Sequence, residues 1–355
     1  MTKIGLLGAG MIANIHAKAI VATNSEVTAV FDPRDSRRTE FSKKWNCDPC
    51  MEVGALLARD DIEAVVVATP NDQHASLAIA AMKAGKDVLL EKPMAMSLLQ
   101  CDEIIQVQKE TGQVLQLGFV CRYSPVAITV KRLVEEGKLG TILRSRATLL
   151  RQRGIPGIGG WFTTKEQSGG GCLIDIGVHL IDLLSHLTLA NDPVRVLGNC
   201  SQTFSISTYG YDEMWSTPKK DGVFDVEDGV QATTTFANGV TNQIDVSWAT
   251  HLPESCIRDG ITIEGDKAAI WFDIWGDSIA FGESVDGKPV ETKIEVEVNE
   301  AWDDAFEGEH IAFSDGIVNR AVSSGAGTGT DGRKVQTIIE AIYKSDAEQC
   351  EIQIV

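Results

Sequence analysis

The chain lacks any uninterrupted apolar run approaching the ~20 residues needed to cross a bilayer, so no membrane-spanning segment is expected. It is also short of positive charge: 32 lysines and arginines stand against 50 aspartates and glutamates, a net charge of −18. A surface so acidic repels nucleic-acid phosphates and anionic lipid, so neither is expected as a partner. One basic pocket within that surface would still accept an anionic small molecule. Paired cysteines are scarce as well. Eight are scattered along 355 residues and only Cys47 and Cys50 form a C-x-x-C pair, with no second pair or nearby histidine to complete a zinc site. Reduced thiols, a cytoplasmic location and no metal are the expectation. The first apolar stretch starts at Lys3, which leaves no room for a cleaved leader. Internal repeats and low-complexity linkers are also missing, and the length suits about two domains.

What the chain does have is concentrated at its start. Lys3 to Leu7 is a short apolar run, Gly8-Ala9-Gly10-Met11-Ile12-Ala13 fits G-x-G-x-x-A, and Asp32 closes the next apolar run. Gly8 permits a tight turn, and Gly10 lets backbone approach a pyrophosphate. The N–H groups of a helix opening at Met11 and Ile12 face the phosphates. Asp32 lies about 20 residues beyond the turn, where a carboxylate accepts hydrogen bonds from ribose hydroxyls. Strand, turn, helix and acid agree on a bound dinucleotide. The carboxylate repels a 2′-phosphate, so NAD is expected over NADP; Arg34, Arg37 and Arg38 read as the solvated start of a helix.

Strands and helices alternate over the first third. Ile62 to Ala68 is a nearly unbroken β-branched run, as a parallel strand covered on both faces requires. Helices are expected from Gln73 to Ala84 and from Ser97 to Lys109, with strands at Asp87 to Leu90 and Val114 to Phe119. The pattern predicts an α/β fold with a doubly wound parallel sheet and right-handed crossovers. After about Arg122 it changes. A helix from Val126 to Glu136 leads to a strand from Ile142 to Arg151, a helix spans Asp175 to Leu187, and alternating segments follow. Asn238-Gly239 marks a hairpin between Val230 to Phe236 and Thr241 to Trp248. The expected organisation is a nucleotide domain over 1–122 and an α+β domain with a large open, mainly antiparallel sheet over 123–355.

Chemistry gathers at three places. Thr69-Pro70-Asn71 and Glu91-Lys92-Pro93 end successive strands, at the carboxyl edge where such sheets bind ligands, and His74 opens a helix beside the first. Ser168-Gly169-Gly170-Gly171-Cys172-Leu173-Ile174-Asp175-Ile176-Gly177-Val178-His179 places an Asp and a His at i, i+4, on one face of a regular helix. Asp182 and His186 continue that stripe along an otherwise apolar helix. Their spacing and type permit a metal, although a supporting role fits better.

With these segments the chain resembles, from end to end, the Gfo/Idh/MocA family of sugar and inositol oxidoreductases: GAGMIA, Asp32, ATPN, EKP and GGGCLIDIGVH match. The resemblance implies a Rossmann domain followed by a sheet domain, no metal, and Lys92, Asp175 and His179 around the reacting carbon. Oxidising a secondary alcohol requires hydride transfer to nicotinamide and loss of the hydroxyl proton. Histidine titrates near neutrality, which makes His179 the candidate base. Lys92 is the alternative first acceptor or a stabiliser of alkoxide charge, and Asp175 binds a neighbouring hydroxyl or orients the pair. Thr69, Pro70, Asn71, His74, Glu91 and Lys92 are the further cofactor contacts, beside Gly8, Gly10, Met11, Ile12 and Asp32. Arg122, Tyr123, Arg151, Arg153 and Trp161 are candidates to bind the sugar or polyol, Trp161 by stacking on an apolar sugar face. Keto-sugar reduction, or transient oxidation by a retained NAD during glycoside cleavage, uses the same residues; a non-catalytic NAD(H) sensor would not need the intact trio. The open sheet needs cover, and the resemblance implies pairing through it into a homodimer or homotetramer.

Overall fold

A computed structural model describes residues 1–204, 219 and 221–354. It divides into two compact units, Met1–Val120 with Ala305–Gln336, and Cys121–Asp304 with Thr337–Val355.

The first unit is a six-stranded sheet, parallel throughout. Its strands are β1 (Lys3–Leu7), β2 (Glu26–Phe31), β3 (Asp48–Cys50), β4 (Ala64–Val67), β5 (Asp87–Glu91) and β6 (Leu115–Gly118). They alternate with α1 (Met11–Ala22), α2 (Asp35–Trp45), α3 (Val53–Leu57), α4 (His74–Lys83) and α5 (Leu98–Thr111). The order β3-β2-β1-β4-β5-β6 reverses direction between β1 and β4. That reversal opens the crevice in which doubly wound sheets bind nucleotides. All four β4 residues are wholly buried, which is why the sequence there is apolar without alternation. Ser97 caps α5 by accepting the Gln100 N–H at 3.3 Å. Ile4, Leu6, Val66 and Leu89 pack with Ala13, Ala17 and Ile20 of α1, and Phe313 and Ile317 of the helix Ala301–Asn319 join the same core.

The second unit holds a nine-stranded sheet in the order β14-β13-β12-β11-β7-β10-β9-β8-β15. Its strands are β7 (Ile142–Leu150), β8 (Pro193–Ser201), β9 (Gly229–Phe236), β10 (Thr241–Ser247), β11 (Gly260–Gly265), β12 (Ala268–Phe272), β13 (Ser278–Val285), β14 (Lys288–Glu295) and β15 (Ile352–Gln353). Every neighbouring pair is antiparallel except β7 with β10. The expected hairpin joins β9 to β10, with Gly239 at φ +87° where a side chain would be strained. Ile244, Val246, Ile261, Ile263, Ile270, Phe272 and Ile279 are buried, while Gln243, Thr262 and Trp271 alternate with them and are exposed. The sheet runs further than the sequence pattern indicates. β13 continues past Phe281 to Val285, and β14 is exposed along nearly its whole length, so neither stretch carries the apolar period-2 signal.

One helix expectation needs correction. The segment beginning near Asp175 is not one regular α-helix: Leu173–Gly177 is a π-turn and the α-helix proper is Val178–Thr188. The helical stretch Lys165–Thr188 is also, by length and composition, long and apolar enough to cross a membrane. Its apolar window is 83% buried inside the protein, so its hydrophobicity is accounted for as core.

Candidate active site

The glycine turn after β1 is built around backbone contacts. Gly8 sits at φ +106°, its N–H donates to Phe31 O at 2.8 Å, and any Cβ there would strike the Ala68 carbonyl. A side chain at Gly10, in contrast, would meet nothing within 4 Å, and α1 starts without a side-chain cap. The first N–H groups of α1, at Met11, Ile12 and Ala13, thus take no cap from the Gly10 side, and these are the donors a pyrophosphate requires. Met11 is exposed and Ile12 packs against the core. Asp32 is 4% exposed; its Oδ2 accepts the Ala9 N–H at 3.0 Å and its Oδ1 the Arg34 N–H at 2.9 Å. These two bonds aim the carboxylate at the turn, and each oxygen keeps a lone pair for a ribose hydroxyl. The residues fit an adenine dinucleotide. Arg38 is buried, donating to Asp32 O at 2.7 Å and pairing with Asp35, so it braces the loop rather than standing in solvent as the sequence pattern suggests.

His74 ties two strand ends together, with Nδ1 2.7 Å from Pro93 O and Nε2 3.0 Å from Thr69 O. Both partners are acceptors, while burial pushes the imidazole below its ordinary value. The ring therefore fixes the Thr69-Pro70-Asn71 and Glu91-Lys92-Pro93 segments relative to each other. Asn71 is buried, and Lys92 is half-buried on a loop whose Lys92–Pro93 peptide is cis. The Glu91 side chain turns inward: Oε1 lies 2.8 Å from His16 Nε2, and Oε2 accepts the Lys92 N–H at 3.0 Å. His16 in turn reaches His310, Nδ1 to Nε2 at 3.0 Å. Sequence patterns give His16 and His310 no role, since an isolated histidine on a helix carries no signal of its partners.

In the second unit, Asp175 lies within the π-turn and Trp248, just beyond β10, donates its Nε1–H to Asp175 Oδ2 at 2.9 Å. His179 follows in the first turn of Val178–Thr188, and Asp175 and His179 are half-exposed on a helix that is otherwise mostly buried. One buried carboxylate clamps the start of the turn. Glu227 Oε1 accepts from Gly171 N at 2.8 Å, Leu173 N at 3.0 Å and Tyr343 Oη at 3.0 Å. A Cβ at Gly170 would strike Tyr343 Oη, and one at Gly171 would strike the Glu227 carbonyl, which explains the glycine run. Burial raises the Glu227 carboxyl, and the backbone N–H bonds and the Tyr343 hydroxyl pull it back down. Glu227, Trp248 and Tyr343 are far from Asp175 in sequence and outside any motif.

The remaining candidates are distributed. Arg122 is buried and grips Asp182, Nε to Oδ2 at 2.7 Å and Nη2 to Oδ1 at 2.5 Å. Asp182 is therefore a structural anion, and the polar stripe is broken by both this pair and the π-turn. Tyr123 is half-buried beside Arg122 in the turn Val120–Tyr123. Arg151 is half-exposed and donates its backbone N–H to Ser247 O at 3.0 Å, so it sits where β7 meets β10. Arg153 is exposed, with Nη1 on Gln152 O at 2.8 Å. Trp161 is half-exposed and stacks on Phe162, ring centroids 3.8 Å apart. All eight cysteines are free, and burial pushes the Cys47 thiol up to about 11, which makes it a poor nucleophile.

Residues 2–119 match the model of an oxidoreductase family with an NAD-binding Rossmann fold, and residues 127–271 match the C-terminal domain model of the same family. The chain belongs to the Gfo/Idh/MocA family. It is an NAD-dependent oxidoreductase. The D-glucoside 3-dehydrogenase of Escherichia coli (strain K12) is 31% identical, over 75% of this chain and 75% of that one. The scyllo-inositol 2-dehydrogenase (NAD(+)) of Bacillus subtilis (strain 168) is 28% identical, over 56% of this chain and 58% of that one. Among solved structures, levoglucosan dehydrogenase in complex with NADH and levoglucosan matches with a TM-score of 0.88 and 22% identity, covering 99% of both chains. That last likeness is one of fold.

Proposed function

We propose that this member of the Gfo/Idh/MocA family moves a hydride between a ring secondary alcohol of a sugar, glycoside or inositol and NAD. Bound NAD supplies the hydride acceptor; the chain supplies everything that happens to the proton. His179 takes the hydroxyl proton, since an imidazole exchanges protons near neutrality. Lys92 donates a hydrogen bond to the same oxygen and stabilises its developing negative charge. Asp175, aimed by Trp248, accepts a hydrogen bond from the neighbouring hydroxyl and fixes the ring. The observation that carries this reading is the pair Asp175 and His179, half-exposed on an otherwise buried apolar helix, with Asp175 held at 2.9 Å by the Trp248 indole. The relatives named as glucoside and inositol dehydrogenases support a polyhydroxylated ring as substrate. Half-exposed Trp161 supports it too, as a flat surface for an apolar sugar face.

The same footing carries the assembly. We propose a homodimer, or a tetramer of such dimers, joined through the outer face of the nine-stranded sheet, where Leu197 and Trp271 stand exposed. The net charge of −18 supports the absence of nucleic-acid and anionic-membrane partners, and the free cysteines support a reducing cytoplasmic setting. Incubating the protein with NAD and a panel of sugars, glycosides and inositols, and following absorbance in the nicotinamide band, tests the function. Multiple turnovers on one or more rings are expected; no reduction with any ring, despite NAD binding, would leave a sensor instead.

A further inference from the structure

Glu91, His16 and His310 form a buried chain, with 6%, 0% and 1% of their surfaces exposed, and the chain ends on the backbone of Lys92. The bonds define one another. A carboxylate only accepts, so Glu91 Oε1 fixes the proton of His16 on Nε2. His16 Nδ1 and His310 Nε2, 3.0 Å apart, share one proton, so one of them donates and the other accepts. His310 Nδ1 has no hydrogen-bond partner among the described residues, and burial together with His16 holds His310 well below its ordinary value, so it stays neutral. Phe306 closes the box, its ring edge-on to His16 at 5.2 Å, and Gly118 leaves the room Glu91 occupies: a Cβ there would lie 3.3 Å from Glu91 Cδ.

We propose that His16 and His310 are positioning residues for Lys92. They hold Glu91 in the one conformer that captures the Lys92 N–H, and so fix where the Lys92 side chain starts. This rests on the reading that Lys92 acts at the substrate oxygen. Neither histidine touches substrate or cofactor in this account; each acts through Glu91.

The test is a cycle of kcat and KM measurements on the intact NAD-loaded protein with its best ring substrate. His16→Leu removes both hydrogen bonds, and kcat should fall about ten- to a hundredfold, the scale of a small displacement at a reacting group. NAD affinity should stay within about twofold, because the His16 side chain bonds Glu91 and His310 and not the N–H groups at the start of α1. His16→Gln restores a donor for Glu91 and a partner for His310, so it should recover most of the loss. In Lys92→Ala, the further change His16→Leu should cost almost nothing, since residues acting through one group are not additive. Should His16→Leu fail to fold, His310→Leu breaks the chain one bond further out and enters the same cycle. Wild-type kcat in the Leu variants, equal losses in Leu and Gln, or losses that add to that of Lys92→Ala would each overturn the positioning role. Full turnover by Lys92→Ala itself would instead remove the role of Lys92 on which it rests.

Discussion

Asp32 joins local structure and cofactor choice in one side chain. Its oxygens accept the N–H groups of Ala9 and Arg34, which pins the glycine turn beside this acid, at the proposed ribose site. Asp32→Ser should lower the preference for NAD over NADP, read as the ratio of kcat/KM for the two cofactors. An unchanged ratio would show that discrimination lies elsewhere. Asp182 is a different kind of acid. It is 1% exposed and neutralises Arg122, so Asp182→Ala leaves a buried guanidinium uncompensated and should cost about 3–5 kcal/mol in denaturant unfolding. At this scale the sequence is legible where a residue acts within its own segment. Gly8, Gly10 and Asp32 lie within one βαβ unit and can be read by spacing alone. The pairing of Arg122 with Asp182 spans 60 positions, and the contact of Trp248 with Asp175 spans 73, so no local pattern announces either.

Among the elements, the parallel strands of the first unit were the clearest in sequence, because burial on both faces turns them into unbroken apolar runs. The π-turn Leu173–Gly177 was not, since the i, i+4 spacing of Asp175 and His179 fits a regular helix equally well. What imposes the turn is tertiary: Glu227 takes the Gly171 and Leu173 N–H groups, and glycines at 170 and 171 admit Tyr343 and the Glu227 backbone. Nothing in the sequence of the helix Ala301–Asn319 announces where it packs. Its Phe313 and Ile317 enter the core around β1 and β4, about 250 to 310 residues back along the chain. That helix also buries Glu309, whose carboxyl is pushed well above its ordinary range by burial and by the charge of Glu91. In the window between the ordinary carboxyl value and the raised one, the folded state holds a proton that the unfolded state has released. Stability therefore falls as pH rises through that window. Glu309→Gln should flatten the decline, seen as a thermal midpoint less sensitive to pH from the mildly acidic to the mildly alkaline range. An equally steep decline in the variant would assign it to other groups.

For the whole molecule, the open sheet face bears on assembly. Light scattering at micromolar concentration should give a dimer or tetramer mass. A monomer would mean that Leu197 and Trp271 are tolerated in water singly, as scattered surface apolar residues are. The central claim is the proposal that Lys92 and His179 serve one alcohol oxidation, with NAD as the hydride acceptor. The most direct measurement is turnover of the best ring substrate by Lys92→Ala and His179→Ala, with NAD affinity measured on the same samples. Each variant should lose about a hundredfold or more in kcat, the scale of a removed acid or base, with NAD affinity nearly unchanged. Near-normal turnover in both would contradict the account and place the chemistry on other residues.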